Sequence, residues 1–113
     1  MVIDKVFTEV RKNMRGGDGE VTITSWLEDK DKPNNVRLAG VLTLPRGASI
    51  GAHKHEGEAE IFHILAGTGE YNDNGEIVEV KAGDSTVCPS GSVHGIKNTG
   101  DEPLVLNGFI VLG

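Results

Sequence analysis

Apolar and polar positions alternate along this chain with a period of two residues rather than 3.6, which is the signature of strands with one buried face. Val21–Leu27 (VTITSWL) alternates and is rich in β-branched side chains, and Val36–Leu44 (VRLAGVLTL) does the same until Pro45-Arg46-Gly47 stops it. Glu60–Gly67, Gly69–Asn72 and Glu76–Val80 are three shorter runs, and the closing Pro103–Leu112 is apolar enough for a strand covered on both faces. Asp73-Asn74-Gly75 contains Asn-Gly, the strongest short signal for a tight hairpin. Ala82-Gly83-Asp84 marks a second turn, and Pro89-Ser90-Gly91 a third with Pro and Gly where a type I turn prefers them. Val2–Met14 is the best helical candidate, good for a turn or two before Gly16-Gly17 ends it. Strands recurring about every ten residues predict an all-β sandwich or barrel. No linker or internal repeat divides residues 1–113, so one domain is expected.

Composition narrows the function classes. The 113 residues bury one modest core, and 37% hydrophobic with 25% charged residues is an ordinary globular balance. A net charge of −6, with no basic cluster beyond Arg11-Lys12 and Arg15, argues against nucleic acid and anionic membrane surfaces as partners. The start, MVIDKVFTEVRK, carries charges where a signal peptide needs an unbroken apolar stretch. The single cysteine, Cys88, has no internal partner, so a reducing cytoplasm is the expected location.

The chemistry concentrates in GASIGAHKHEGEAEIFHILAG, Gly47–Gly67. In an extended segment His53 and His55 point to one side, while Glu60, an odd number of residues on, points to the other. Gly57 offers a bend that resets the parity. Glu60, Phe62 and Ile64 then share one face, and Ile61, His63 and Leu65 the other. Two imidazoles, a carboxylate and an apolar wall face one interior in that arrangement. His-x-His alone is common on surfaces, and by itself favours a solvated turn. The second half supplies a further ligand in GDSTVCPSGSVHGIKN, Gly83–Asn98, where His94 follows the Pro89-Ser90-Gly91 turn and leads into a strand whose Ile96 shares its face.

The first stretch reads Gly47, five residues, His53-x-His55, four residues, Glu60, six residues, Gly67. The second reads Gly83, five residues, Pro89-x-Gly91, two residues, His94, three residues, Asn98, and the spacer Thr68–Ala82 is short. Both resemble the two motifs of the cupin superfamily, complete and in order, and together they span about half the chain. The resemblance implies an all-β, single-domain cupin β-barrel (a double-stranded β-helix, or jelly roll). The conserved barrel falls over about 36–112, with segment 1–35 packing on the barrel or on a partner subunit. It also implies one divalent transition metal per chain (Mn, Fe, Ni, Co or Zn) on His53, His55, Glu60 and His94, a ligand set suited to first-row ions. Four protein ligands leave positions open for a substrate, so a metalloenzyme is expected: a dioxygenase, decarboxylase or isomerase acting on a small acid, keto compound or sugar. The alternative is a non-catalytic small-molecule binder or sensor with a structural metal.

Other features receive plainer readings. His63 lies opposite Glu60 and is taken as a surface or interface residue. Glu56 and Glu58 belong to the solvated rim, with at most one touching an imidazole. Cys88 reads as a small buried hydrophobe, and Tyr71, near a hairpin end, is not counted as reaching the metal. Arg15–Gly19 lacks the Gly-Lys-Ser/Thr ending of a phosphate loop, and Lys81 stands where a calcium loop starting at Glu70 needs a glutamate. Trp26, Leu42, Phe62, Ile64, Ile96 and Phe109 are the candidate cavity-lining residues. Apolar flanking strands with edges to cover suggest a homodimer.

Overall fold

A computed structural model of residues 1–113 turns the alternating runs into ten strands: β1 (Phe7–Lys12), β2 (Glu20–Ser25), β3 (Val36–Leu44), β4 (Ser49–Lys54), β5 (Glu58–Ala66), β6 (Thr68–Asp73), β7 (Glu76–Lys81), β8 (Ser85–Cys88), β9 (Val93–Asn98) and β10 (Leu104–Leu112). They form two antiparallel sheets, one ordered β1-β2-β3-β10-β5-β8 and the other β4-β9-β6-β7. The faces predicted for β5 hold: Glu60, Phe62 and Ile64 are buried, while Ile61 and Leu65 are exposed and His63 is half-buried. The all-β, two-sheet barrel architecture expected from the sequence is the one observed.

The core fills the space between the sheets. Leu42, Leu44, Phe62, Ile64, Leu104 and Leu106 come from the six-stranded sheet, and they meet Ile50, Tyr71, Val80 and Ile96 from the four-stranded one. Removing this apolar area from water is the main force holding the two layers together. No helix is long and apolar enough to cross a membrane.

One expectation is corrected. The helical candidate Val2–Met14 is a strand over Phe7–Lys12, paired along its length with β2 from Phe7↔Ser25 to Lys12↔Glu20. Its Phe, Val and Thr positions suit a pleated surface, and pairing with a strongly alternating neighbour overrides a weak local helical preference. Strands β4 (SIGAHK) and β8 (STVC) hold too few apolar residues to stand out as alternation. Val2, Val6 and Val10 are exposed along this edge of the sheet.

The turns do what their residues dictate. Asn74 (φ 53°) and Gly75 (φ 100°) are both left-handed, as a two-residue hairpin requires, and the Asn72 Oδ1 accepts the Gly75 N–H at 2.7 Å. Asn98, buried at the end of β9, ties three segments together. Its Nδ2 donates to the Leu44 and Glu102 carbonyls at 2.9 Å each, and its Oδ1 accepts the Gly100 N–H at 2.9 Å. Asn98→Ala strips partners from groups with little access to water. It should lower unfolding free energy by about 2 kcal/mol in urea titration, and an unchanged midpoint would show that water replaces the amide.

Candidate metal centre

Cross-strand register builds the site. His53 on β4 sits directly opposite His94 on β9, across an irregular stretch of pairing that follows Ile50. Glu60 comes from β5 in the other sheet, where it pairs with Ile110 and Cys88. His55 lies just past the end of β4 and is anchored by the turn that precedes His94. The His55 N–H donates to the Ser92 carbonyl at 3.1 Å, and the Gly91 N–H donates to the His55 carbonyl at 2.6 Å. The Gly57 N–H donates to the Ser90 hydroxyl at 3.0 Å, and Gly57 itself is left-handed (φ 72°). The bend that resets the strand parity is therefore held by the other motif's turn.

The potential ligand atoms of His53, His55, Glu60 and His94 all lie within 4.8 Å of one another. His55 Nε2 is 3.1 Å from both His53 Nε2 and His94 Nε2, and 3.0 Å from Glu60 Oε1. His94 Nε2 is 2.9 Å from the same oxygen, and His53 Nε2 is 3.8 Å from it. The three rings meet edge-to-face with centroids 4.8–4.9 Å apart. Glu60, His55 and His94 are buried, and His53 is the partly accessible member.

Hydrogen bonds at the far side of each ring determine which nitrogen faces the centre. His53 Nδ1 is 2.7 Å from the Gly51 carbonyl, which can only accept, so the proton sits on Nδ1 and the Nε2 lone pair faces inward. His55 Nδ1 donates to Glu58 Oε2 at 2.5 Å, with the same consequence. His94 Nδ1 is 2.8 Å from the Tyr71 hydroxyl. Burial pushes Tyr71 up to about 12, so its phenol oxygen stays neutral and able to accept the Nδ1–H. Four electron-pair donors thus converge with nothing of opposite charge among them, an arrangement that a cation relieves. Ligand atoms about 2.1 Å from an ion lie about 3.0 Å apart at right angles and about 3.4 Å apart at the tetrahedral angle. The 2.9–3.1 Å separations match the right-angle case, which leaves further positions open. The donor set and its spacing fit a first-row divalent ion.

Two residues were underrated by sequence reasoning. Glu58 is only 13% exposed, held by the Arg37 guanidinium at 2.7 and 2.8 Å while it receives the His55 proton. That guanidinium keeps Glu58 below the ordinary carboxylate range. Tyr71 does reach the site, through His94, because β6 lies beside β9 with Tyr71 opposite Ile96, a long-range pairing that left no local signal in the sequence. Glu56 stays exposed, beside Lys54 at 3.1 Å. His63 bonds Ser85 at 2.8 Å, away from the cluster. Cys88 is buried, as expected.

The cavity beside the cluster, about 180 Å³, has His53, His55 and Glu60 in its wall and differs in part from expectation. Leu42 lines it, together with Ile23, Leu38, Ile50 and Ile110. Phe62, Ile64 and Ile96 instead form packed core, with Phe62 stacked on His94 at 5.1 Å. Trp26 and Phe109 are not cavity residues. They pack on each other at 5.4 Å on the outer side of the six-stranded sheet, because Phe109 falls between the inward Gly108 and Ile110 and pairs with outward Ile61.

Burial works against the charge on Glu60, but the His53 and His94 contacts and the nearby imidazoles outweigh it and bring Glu60 to about 2. Burial also lowers His94 below its ordinary 6.5. Both groups bind fewer protons folded than unfolded, so each contributes stability at neutral pH that acid removes. The metal-free protein, dialysed against chelator, should lose thermal stability as pH falls below 6.5, and again from 4.5 toward about 2. A melting temperature that rises between pH 7 and 5 would contradict this sign.

Comparison with known proteins places the site in context. A cupin-domain family model matches residues 40–112, which hold all four clustered residues. An oxalate-binding protein of Thermotoga maritima is 47% identical over 100 residues, covering 88% of this chain and 83% of that protein. The crystal structure of a predicted oxalate decarboxylase from Thermotoga maritima superposes with a TM-score of 0.93 at 43% identity, covering all of both chains. The cupin domain of Schizosaccharomyces pombe Cnp3 shares the fold at 21% identity, with a TM-score of 0.76 over 93% of this chain and 69% of that one.

Proposed function

This chain belongs to the cupin family, and on that premise we propose that His53, His55, Glu60 and His94 bind one divalent transition metal while the cavity beside them takes a small dicarboxylate of the oxalate class. The observation that carries the reading is a local inversion of charge. The whole chain has a net charge of −6, yet Arg11, Arg15, Lys32 and Arg37 line the cavity with Glu9 and Glu60, while Asp29 and Glu58 pair with Lys32 and Arg37 from outside its lining and Arg15 stays without a carboxylate partner. Such a pocket concentrates anions and is ill suited to a neutral sugar. The oxalate-binding and predicted oxalate decarboxylase proteins of Thermotoga maritima support the same ligand class.

A bound divalent ion supplies a Lewis acid for a chelating carboxylate, its charge only half offset by Glu60. This chain's residues do the rest. Leu42, Ile50 and Ile110 keep water from the wall, and the cationic rim balances the second negative charge of the ligand. Glu58 fixes the His55 tautomer and Tyr71 holds the His94 ring in place, so the ligand geometry is set before the anion arrives.

Binding without turnover is the reading the cavity supports best, in place of the metalloenzyme first expected. Its only carboxylate besides Glu60 is Glu9, tied to the Arg11 guanidinium at 3.0 Å. Decarboxylation is the second reading and rests on Glu9 as a proton donor. Titration calorimetry on metal-loaded protein should show one oxalate per chain, lost after chelation. Equal binding by metal-free protein would sink the proposal, and formate accumulating above a protein-free control would favour the decarboxylase. Glu58→Gln should weaken metal binding about 10–100-fold in a competition assay with a fluorescent chelator, and unchanged affinity would remove Glu58 from the metal's support.

A further inference from the structure

We propose that Arg15 is the specificity-determining residue of the cavity, gripping the end of a dicarboxylate that faces away from the metal ligands. The inference rests on the dicarboxylate reading above and names the group that would enforce it. Four cations line the cavity, and three are already committed to carboxylates. Arg11 contacts Glu9 at 3.0 Å, Lys32 contacts Asp29 at 2.8 Å, and Arg37 holds Glu58 through two bonds. Arg15 alone among them has no carboxylate within ion-pair distance. A free guanidinium has a planar fork that matches a carboxylate with two parallel hydrogen bonds, which a point charge cannot do.

The backbone gives a second, independent reason. Arg15 adopts φ 55° and ψ 30°, a left-handed conformation that side chains bearing a Cβ rarely take. Turn closure does not call for arginine there. The same loop uses glycine at positions 16, 17 and 19, and glycine at 15 would meet the geometry without strain. Strain held at a cavity wall points to a role for the side chain it presents.

The loop is also clamped to the strand that carries His53. A Cβ on Gly51 would overlap the Arg15 carbonyl, and one on Gly17 would overlap the Ser49 carbonyl, so these backbones touch directly. Asp18 and Ser49 exchange two bonds at 2.9 Å, and Asn13 Nδ2 donates to the Gly17 carbonyl at 3.1 Å. Gly51 in turn accepts the His53 Nδ1–H. The backbone that carries Arg15 is therefore fixed relative to the cluster rather than part of a loose loop.

The test compares wild type, Arg15→Gly and Arg15→Lys, each loaded with Mn²⁺, for binding of oxalate, malonate and acetate by calorimetry. Arg15→Gly should weaken both dicarboxylates at least about tenfold, the scale of a lost charge-assisted hydrogen bond, while acetate stays within about twofold. Arg15→Lys should fall between, because it keeps the charge and loses the fork. The ligand-free Arg15→Gly protein should melt no lower than wild type, since the strained residue has gone. Dicarboxylate affinity unchanged in Arg15→Gly, or equal losses for acetate and oxalate, would overturn the inference while leaving the proposed function standing. A loaded wild-type protein that binds neither dicarboxylate would overturn both.

Discussion

Convergence of four electron-pair donors on one buried point is the constraint from which most of this architecture follows. Three imidazole nitrogens and a carboxylate oxygen at 2.9–3.8 Å repel one another unless a cation or protons intervene. Holding them there takes a scaffold stiffer than any single strand. The chain provides it by drawing His53 and His94 from one sheet and Glu60 from the other, with a packed apolar layer behind. Each ring is then fixed from its far side by a carbonyl, a carboxylate or a phenol, so orientation is decided by groups other than the ligands themselves.

The two motifs depend on each other through the backbone as well as through the ligands. The turn at Pro89–Ser92 closes onto His55 and Gly57 with three hydrogen bonds, so the residues before His94 aim the residues before Glu60. This gives a physical meaning to glycines and a proline that are otherwise only turn formers. Gly91, at φ 90°, points its N–H at the His55 carbonyl from a conformation a side chain would resist.

Much of this was legible in the sequence, and the reasons differ by feature. The β5 alternation and the Asn74-Gly75 hairpin are local signals, strong enough to survive packing. Gathering His53, His55, Glu60 and His94 at one point required motif spacing, since strand parity alone left Glu60 on the wrong side of Gly57. What escaped was long-range. Glu58 looks like a rim carboxylate until Arg37, twenty-one positions away in sequence, is found against it. Tyr71 reaches His94 from the neighbouring strand of the same sheet, β6 beside β9, a pairing between segments twenty-three positions apart that no local periodicity encodes. Trp26 and Phe109 are large and apolar, and nothing local says that they cover the outside of the sheet.

The division of labour along the chain bears on how such a fold acquires a ligand. All four clustered residues lie within the family-matched stretch 40–112, whereas Arg11, Arg15, Lys32 and Arg37 all precede it. The later strands supply the donor set, and the β1–β2 hairpin, the segment leading into β3 and the start of β3 supply the charge that faces it. A shared fold does not fix a function, because chemistry depends on groups grafted around a common centre. Here the graft is not passive, since the hairpin loop is seated on Gly51, whose carbonyl orients His53. Changing residues 13–19 therefore alters the cationic wall of the cavity and the support of a clustered imidazole together. Cavity charge and donor geometry in this chain are mechanically joined at one strand rather than independently adjustable.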